Sequence, residues 1–83
     1  MMQHNQIGKY RKKSDVLDAK KGHTYVTPQG RQYQIIDWYK MGRIYHIIVL
    51  YKDTRANFKE SDYNTMDLDS CFKQIDNSTS NGD

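Results

Sequence analysis

The side chains best suited to chemistry in this chain are cations interleaved with aromatic rings. One group lies near the N-terminus, where Tyr10 is flanked by Lys9, Arg11, Lys12 and Lys13. A second group lies mid-chain and consists of Arg31, Trp38, Tyr39, Lys40, Arg43 and Tyr45. Cations neutralise phosphates and aromatic rings stack on bases, so this combination is typical of nucleic-acid-binding surfaces. Tyr and Arg are also enriched at the centres of protein–protein interfaces, so the same residues suit a protein partner.

The charge is distributed unevenly along the chain. Residues 1–59 contain twelve Lys and Arg against four Asp, a net of +8, whereas residues 60–83 contain one Lys against six acids, a net of −5. The overall charge of +3 is therefore the balance of a basic part and an acidic part. The basic part favours contact with a phosphate backbone, and the acidic part either competes with that contact or forms a second surface.

Patterns that would indicate catalysis or metal binding are missing from the sequence. Cys71 is the single cysteine, which excludes an intramolecular disulfide and the usual zinc sites. The three histidines lack ligand spacing, and Asp67 and Asp69 are followed by neither the glycine nor the glutamate of a calcium loop. No glycine-rich phosphate loop or nucleophile motif is present. We therefore expect a binding protein rather than an enzyme, with no cofactor and no bound metal.

The length and composition of the chain allow one small domain. It has 83 residues, of which 36% are apolar. The N-terminus lacks the apolar stretch of a signal peptide, and no apolar run approaches the length of a membrane span. These features predict a cytoplasmic protein without membrane contact.

A dense apolar segment must position the mid-chain cations and rings. Thirteen of the 19 residues in 33–51 are apolar or aromatic, and most are types that favour strands. Gly42 interrupts this segment and supplies the positive φ of a hairpin turn. Before Gly42, adjacent apolar pairs permit a β-bulge. After Gly42, both faces of the strand are largely apolar, which predicts a strand covered on both sides for part of its length. The predicted strands are His23–Thr27, Arg31–Tyr39, Arg43–Tyr51 and Arg55–Glu60.

The predicted fold is mainly β, within a small α+β class. We expect a curled antiparallel sheet or an open small β-barrel of about four to five strands, with one or two short helices. Residues 15–21 suit a short helix between polar cap and glycine stop signals, and residues 66–75 carry a helical apolar stripe that also suits a last strand. Residues 1–21 are expected to form a flexible basic arm, 22–75 the β-rich domain, and 76–83 a disordered polar tail.

The hairpin segment resembles a module common in small phage-encoded proteins, and a module found beside the nuclease part of phage homing-type endonucleases. The resemblance rests on residues 30–38 (Gly-Arg-Gln-Tyr-Gln-Ile-Ile-Asp-Trp), on the second apolar strand, and on the Asp-Thr pair at 53–54. It covers about residues 22–60 and implies a phage or prophage product with a small β-barrel or sheet in the bacterial cytoplasm. After Glu60 an acidic stretch stands where the pattern has a basic ending.

Two functions remain open at this point. The first is a nucleic-acid-binding accessory module that uses the basic, Tyr-rich surface. The second is a small phage-type protein that binds and modulates a host or phage protein. A homodimer formed through an exposed strand edge is compatible with either.

Overall fold

Four antiparallel strands and three helices make up the computed structural model, which describes residues 12–81, with side chains described for residues 12–78. The strands form one sheet in the order β1-β2-β3-β4, which does not close into a barrel. In chain order the elements are α1 (Lys13–Lys20), β1 (Thr24–Val26), β2 (Gln32–Met41), β3 (Ile44–Tyr51), β4 (Thr54–Lys59), α2 (Glu60–Thr65) and α3 (Leu68–Asn81).

The predicted fold class is confirmed as a small α+β domain built on an antiparallel sheet. Each predicted strand is present, and its ends lie within two residues of the predicted ones. Gly42 has a φ of +64° in the turn between β2 and β3, the left-handed conformation that this hairpin was expected to need. Of the two predicted forms, the curled sheet or the open barrel, the strands form an open sheet that is not closed into a barrel, with β1 and β4 as its edges.

A β-bulge in β2 decides which side chains reach the core. Ile35 pairs with Val49 and Asp37 pairs with Ile48, so Ile36 is an extra residue on its strand. Cross-strand partners share a face of the sheet, and the extra residue therefore shifts the alternation of β2 by one position. The bulge that the sequence predicted is confirmed, and it places Trp38 on the same face as Ile35.

The hydrophobic core lies between that face and the three helices. Phe72 of α3 is fully buried, with its ring centroid 5.3 Å from that of Tyr33 and 4.5 Å from that of Tyr51. Leu17 of α1 is 2% exposed, and Tyr63 of α2 packs against the same cluster. The buried apolar residues are Leu17, Tyr33, Ile35, Ile47, Val49, Tyr51 and Phe72.

The helices differ from their predicted positions in three ways. Helix α1 is present where residues 15–21 were expected to suit a short helix, but it spans Lys13–Lys20 and is anchored to the sheet by the buried Leu17. Helix α2 was not predicted, since its short polar sequence has no apolar period and only Tyr63 joins the core. Helix α3 confirms the helical alternative for residues 66–75 and continues to Asn81, across the predicted start of a disordered tail. Its Asp76 is bonded to strand and turn residues, which extends the ordered segment.

The second face of β3 is not covered by any element in the described part of the chain. The sequence prediction of a strand buried on both sides is therefore wrong for this region, where Ile48 and Leu50 are only partly buried and Ile44 is exposed. The physical reason is that all three helices pack on the opposite face. We call the uncovered surface the open face of the sheet.

We expect the Leu17→Ala variant to lose about 2–5 kcal/mol of unfolding free energy, because it removes a buried side chain that holds α1 on the sheet. Urea denaturation measures the change. Ile44→Ala is the matched control, since Ile44 is 45% exposed and its truncation leaves no comparable cavity. Equal losses in the two variants would contradict the packing described here.

Candidate functional site

The bulge separates the aromatic residues that the sequence grouped into one surface. Trp38 and Tyr45 lie on the helix-covered face with ring centroids 5.9 Å apart, and the Trp38 indole Nε1 donates a 2.7 Å hydrogen bond to Asp18. Lys40 lies on the same face, with its Nζ 5.2 Å from the centroid of Tyr45. Tyr39 points to the open face. The predicted binding surface is thus divided between two sides of the sheet.

Arg31 is engaged by carboxylates of helix α3. Its Nη1 lies 3.1 Å from Asp69 Oδ1 and its Nε lies 3.5 Å from Asp76 Oδ2. These carboxylates, Asp69 first, raise the pKa of the Arg31 guanidinium. The charge of Arg31 is therefore compensated within the chain, and this side chain ties the turn between β1 and β2 to α3.

Asp69 is the most deeply buried charged residue that the structure describes, with 4% of its surface exposed. It accepts hydrogen bonds from the Thr27 hydroxyl, from the Gln29 backbone N–H at 3.2 Å and from Arg31. Burial by itself raises the pKa of Asp69, but these hydrogen bonds outweigh it and lower the pKa below its ordinary value. Asp69 is therefore ionised in the folded protein and belongs to the structural framework.

Asp76 makes a second set of contacts about two turns further along the same face of α3. It accepts a 2.6 Å hydrogen bond from Lys52 Nζ and 3.0 Å bonds from the Tyr51 hydroxyl. Lys52 contributes most to lowering the pKa of Asp76, and Asp76 in turn raises the pKa of Lys52. Lys52 is thereby compensated as well, like Arg31.

The remaining predicted cations converge on the end of the molecule that carries the β2–β3 turn. Lys13 forms a 3.1 Å ion pair with Glu60, and Glu60 lines the same shallow depression as Arg43 and Tyr45. Lys12 and Arg43 are exposed. The predicted contacts Lys9 and Arg11 lie outside the described residues. Lys12, Lys13, Lys40, Arg43 and Lys59 together make what we call the basic end.

The open face carries three cross-strand rows of side chains. An apolar centre is formed by Ile36, Ile48 and Leu50, which are partly buried and which no element within residues 12–81 covers. From the register, the rows are Gln34–Leu50–Arg55, Asp37–Ile48–Asn57 and Tyr39–His46–Lys59. Val26, Met41 and Ile44 extend the apolar area toward the edges, with 60%, 62% and 45% of their surface exposed.

The third row has a fixed aromatic pair. The rings of Tyr39 and His46 are stacked at 4.7 Å with an angle of 3° between their planes. Asn57 Nδ2 donates a 2.6 Å hydrogen bond to the Tyr39 hydroxyl. The pair is therefore held in one orientation beside Lys59, and it gives the open face a rigid polar rim.

Of the residues in the three rows of this face, sequence reasoning singled out only Tyr39. Two sequence patterns indicated this face: the second apolar face of the strand at 43–51, and the alternation of Arg55, Asn57 and Lys59 on one side of the next strand. These patterns do not identify it as an open face, because the sequence alone does not show that every helix packs on the opposite side.

The described residues were examined for metal-binding clusters and for membrane-spanning helices. Within residues 12–81, no three His, Cys, Asp or Glu side chains are grouped so as to hold a metal ion. None of the helices described is long and apolar enough to cross a membrane.

Comparison with protein families, with curated proteins and with solved structures finds no match to this chain. The case for a function therefore depends on the geometry and charge of its own residues.

The Asp69 contacts predict a pH-dependent stability. The pKa of Asp69 is lower in the folded chain than in the unfolded one, so its stabilisation is complete above the unfolded pKa of about 3.9 and is lost as the pH falls through the folded pKa. We expect Asp69→Asn to be less stable than the parent at pH 7, and to lose less further stability between about pH 4 and about pH 2. Urea denaturation across this range measures both effects. Asp53→Asn, in the exposed β3–β4 turn, is the control, and an unchanged pH profile in Asp69→Asn would contradict the assignment.

Proposed function

We propose that this chain is a non-enzymatic protein-binding module whose open face docks on a partner protein. The observation that carries the proposal is the uncovered apolar centre of that face. A small single domain gains nothing by leaving Ile48 and Leu50 in contact with water unless another surface covers them, and exposed apolar patches rimmed by polar groups commonly mark interaction sites.

The rim of the open face indicates the charge of the partner. Arg55 and Lys59 are exposed along one side and have no ion-pair partner among residues 12–78. Asp37, the acidic residue of the three rows, already accepts a hydrogen bond from the Trp38 backbone N–H at 2.8 Å. Charge complementarity therefore favours a partner with an apolar centre and flanking carboxylates.

The resemblance of residues 22–60 to small phage-encoded modules indicates where the partner protein would be found. We infer that the chain is a phage or prophage product that acts in the bacterial cytoplasm and modulates a host or phage protein. A bacterial lysate is therefore the appropriate source for the experiment.

Site-specific photo-cross-linking tests the proposal. A photoreactive side chain at position 44, on the open face, is expected to capture a defined protein from nuclease-treated lysate, whereas the same group at position 73, on the helix side, is not. Unlabelled parent protein should compete for capture, and Leu50→Glu should compete at least about tenfold less well, as expected for a residue central to an interface.

The matched control for this competition is Lys73→Glu, which alters an exposed residue of α3 and should compete like the parent. Urea denaturation confirms that each variant is folded, and Ile44→Glu replaces Leu50→Glu if the latter unfolds. Equal capture from both positions, or full competition by the open-face variants, would contradict the proposed docking face.

Nucleic-acid binding is a second candidate function, favoured by the convergence of cations at the basic end. Lys13 and Arg43 both lie beside Glu60, so Lys13 of the predicted basic arm lies near the β2–β3 turn. Phosphate groups would be contacted there rather than on a Trp38-containing surface, since Trp38 faces the helices.

Salt dependence tests this second candidate. With three to four phosphate contacts, affinity for labelled single-stranded DNA or RNA should fall about 20- to 50-fold between 50 and 200 mM salt. Arg43→Glu should weaken binding and flatten the salt slope, while Lys73→Glu should leave both nearly unchanged. Fluorescence anisotropy measures the affinities, and no binding at 50 mM salt would exclude this function at the basic end.

A further inference from the structure

Strand β4 forms an edge of the sheet. It pairs with β3 along all six of its residues, and no segment within residues 12–81 pairs with its other side. An edge strand presents a row of backbone N–H and C=O groups that can pair with another extended chain.

Two depressions border this edge. One has a volume of about 310 Å³ and lies on the helix side, between the start of β4 and helix α3, where it is lined by Thr54, Cys71, Gln74, Ile75 and Ser78. The other has a volume of about 560 Å³ and lies at the end of β4, where helix α2 and Met66 meet the open face; its lining is His46, Asn57, Phe58, Lys59, Asp62 and Met66. The edge therefore has a depression beside each end, an arrangement that suits an added strand with side chains in pockets.

The opposite side of the same edge is positively charged. Arg55 and Lys59 project to the open face and lie about 13 Å apart along the strand, given a rise of about 3.3 Å per residue. In contrast to Lys13, Arg31 and Lys52, neither forms an ion pair with a described residue. Carboxylates at alternate positions of an added strand would face them directly.

We propose that the edge of β4 binds an extended acidic segment of the partner protein, which adds to the sheet as a fifth strand. This inference rests on the proposed protein-binding function and specifies which part of the partner protein the chain binds. Backbone hydrogen bonds hold the segment, its acidic side chains face Arg55 and Lys59, and its alternate apolar side chains lie on the helix side, next to the depression between β4 and α3.

The same charges disfavour a second copy of this chain at the edge. In an antiparallel pair of β4 strands centred on Asn57, Arg55 of each copy lies opposite Lys59 of the other. Like charges directly opposite each other destabilise a strand pair. A homodimer formed through β4 in this register is therefore less favourable than the pairing with an acidic strand.

A synthetic peptide with the sequence Val-Glu-Val-Glu-Val-Glu-Val, blocked at both ends, is the probe. Added to the ¹⁵N-labelled full chain, it is expected to shift the amide resonances of residues 54–59. The double variant Arg55→Glu/Lys59→Glu should bind it at least about tenfold more weakly, because two attractive cross-strand pairs become repulsive. Lys21→Glu/Lys73→Glu is the matched control, since it changes the net charge equally at exposed positions outside β4 and outside the basic end.

N-methylated peptides separate strand addition from general charge attraction. In an added strand only alternate residues direct their N–H groups to the edge. Methylation of one alternate set should abolish binding, and methylation of the other set should leave it nearly unchanged. A peptide with Lys in place of Glu should bind at least about tenfold more weakly.

The proposal is overturned if the acidic peptide does not shift residues 54–59 at millimolar concentration. It is also overturned if both methylated peptides bind alike, or if the two double variants bind alike. The competition experiment distinguishes failure of strand addition from failure of the open face as a docking surface. If Leu50→Glu lowers competition for the captured protein while Arg55→Glu/Lys59→Glu competes fully, the open face binds the partner without strand addition.

Discussion

The ring of Phe72, buried between those of Tyr33 and Tyr51, is the contact on which the remaining structure depends. It fixes α3 across the two central strands and so brings Asp69 within reach of the β1–β2 turn and Asp76 within reach of the β3–β4 turn. The apolar packing of Phe72 and the hydrogen bonds of the two carboxylates therefore hold the same helix on the sheet. The groove beside β4 has the same origin, since one of its walls is α3. The hydrophobic contact of Phe72 thus determines where the carboxylates of Asp69 and Asp76 lie.

A shortage of apolar residues explains why the molecule has one covered face and one open face. Only seven apolar residues are buried among those described, enough for a single layer between the helices and the sheet. Four of the described cations, Lys13, Lys21, Arg31 and Lys52, form ion pairs on the helix side or at the turns. Arg55 and Lys59, which form no ion pair with a described residue, lie on the opposite side, next to the aliphatic centre. The side chains that hold the helices and the face proposed to bind a partner therefore lie on opposite sides of one sheet.

The strands and the bulge could be predicted because both depend on local order along the chain. Alternation of apolar residues identified the strands, Gly42 identified the turn, and the adjacent pair at Ile35 and Ile36 indicated the shift in alternation. The site could not be predicted in the same way. Arg31 is basic in sequence, yet whether it is free depends on Asp69, 38 residues away along the chain. The unpredicted helix α2 shows the same limit, because it is held by contacts with distant residues rather than by its own apolar period.

The alternation of β3 has a consequence for how sequences related to this chain could diverge. Ile47, Val49 and Tyr51 face the core, whereas Ile48 and Leu50, placed between them, face outward. Selection for folding and selection for a partner therefore act on neighbouring positions of a single strand with little interference. Relatives that change partner would be expected to vary at every second residue of this strand. For the same reason, the chain is a suitable starting scaffold for a library of designed binders.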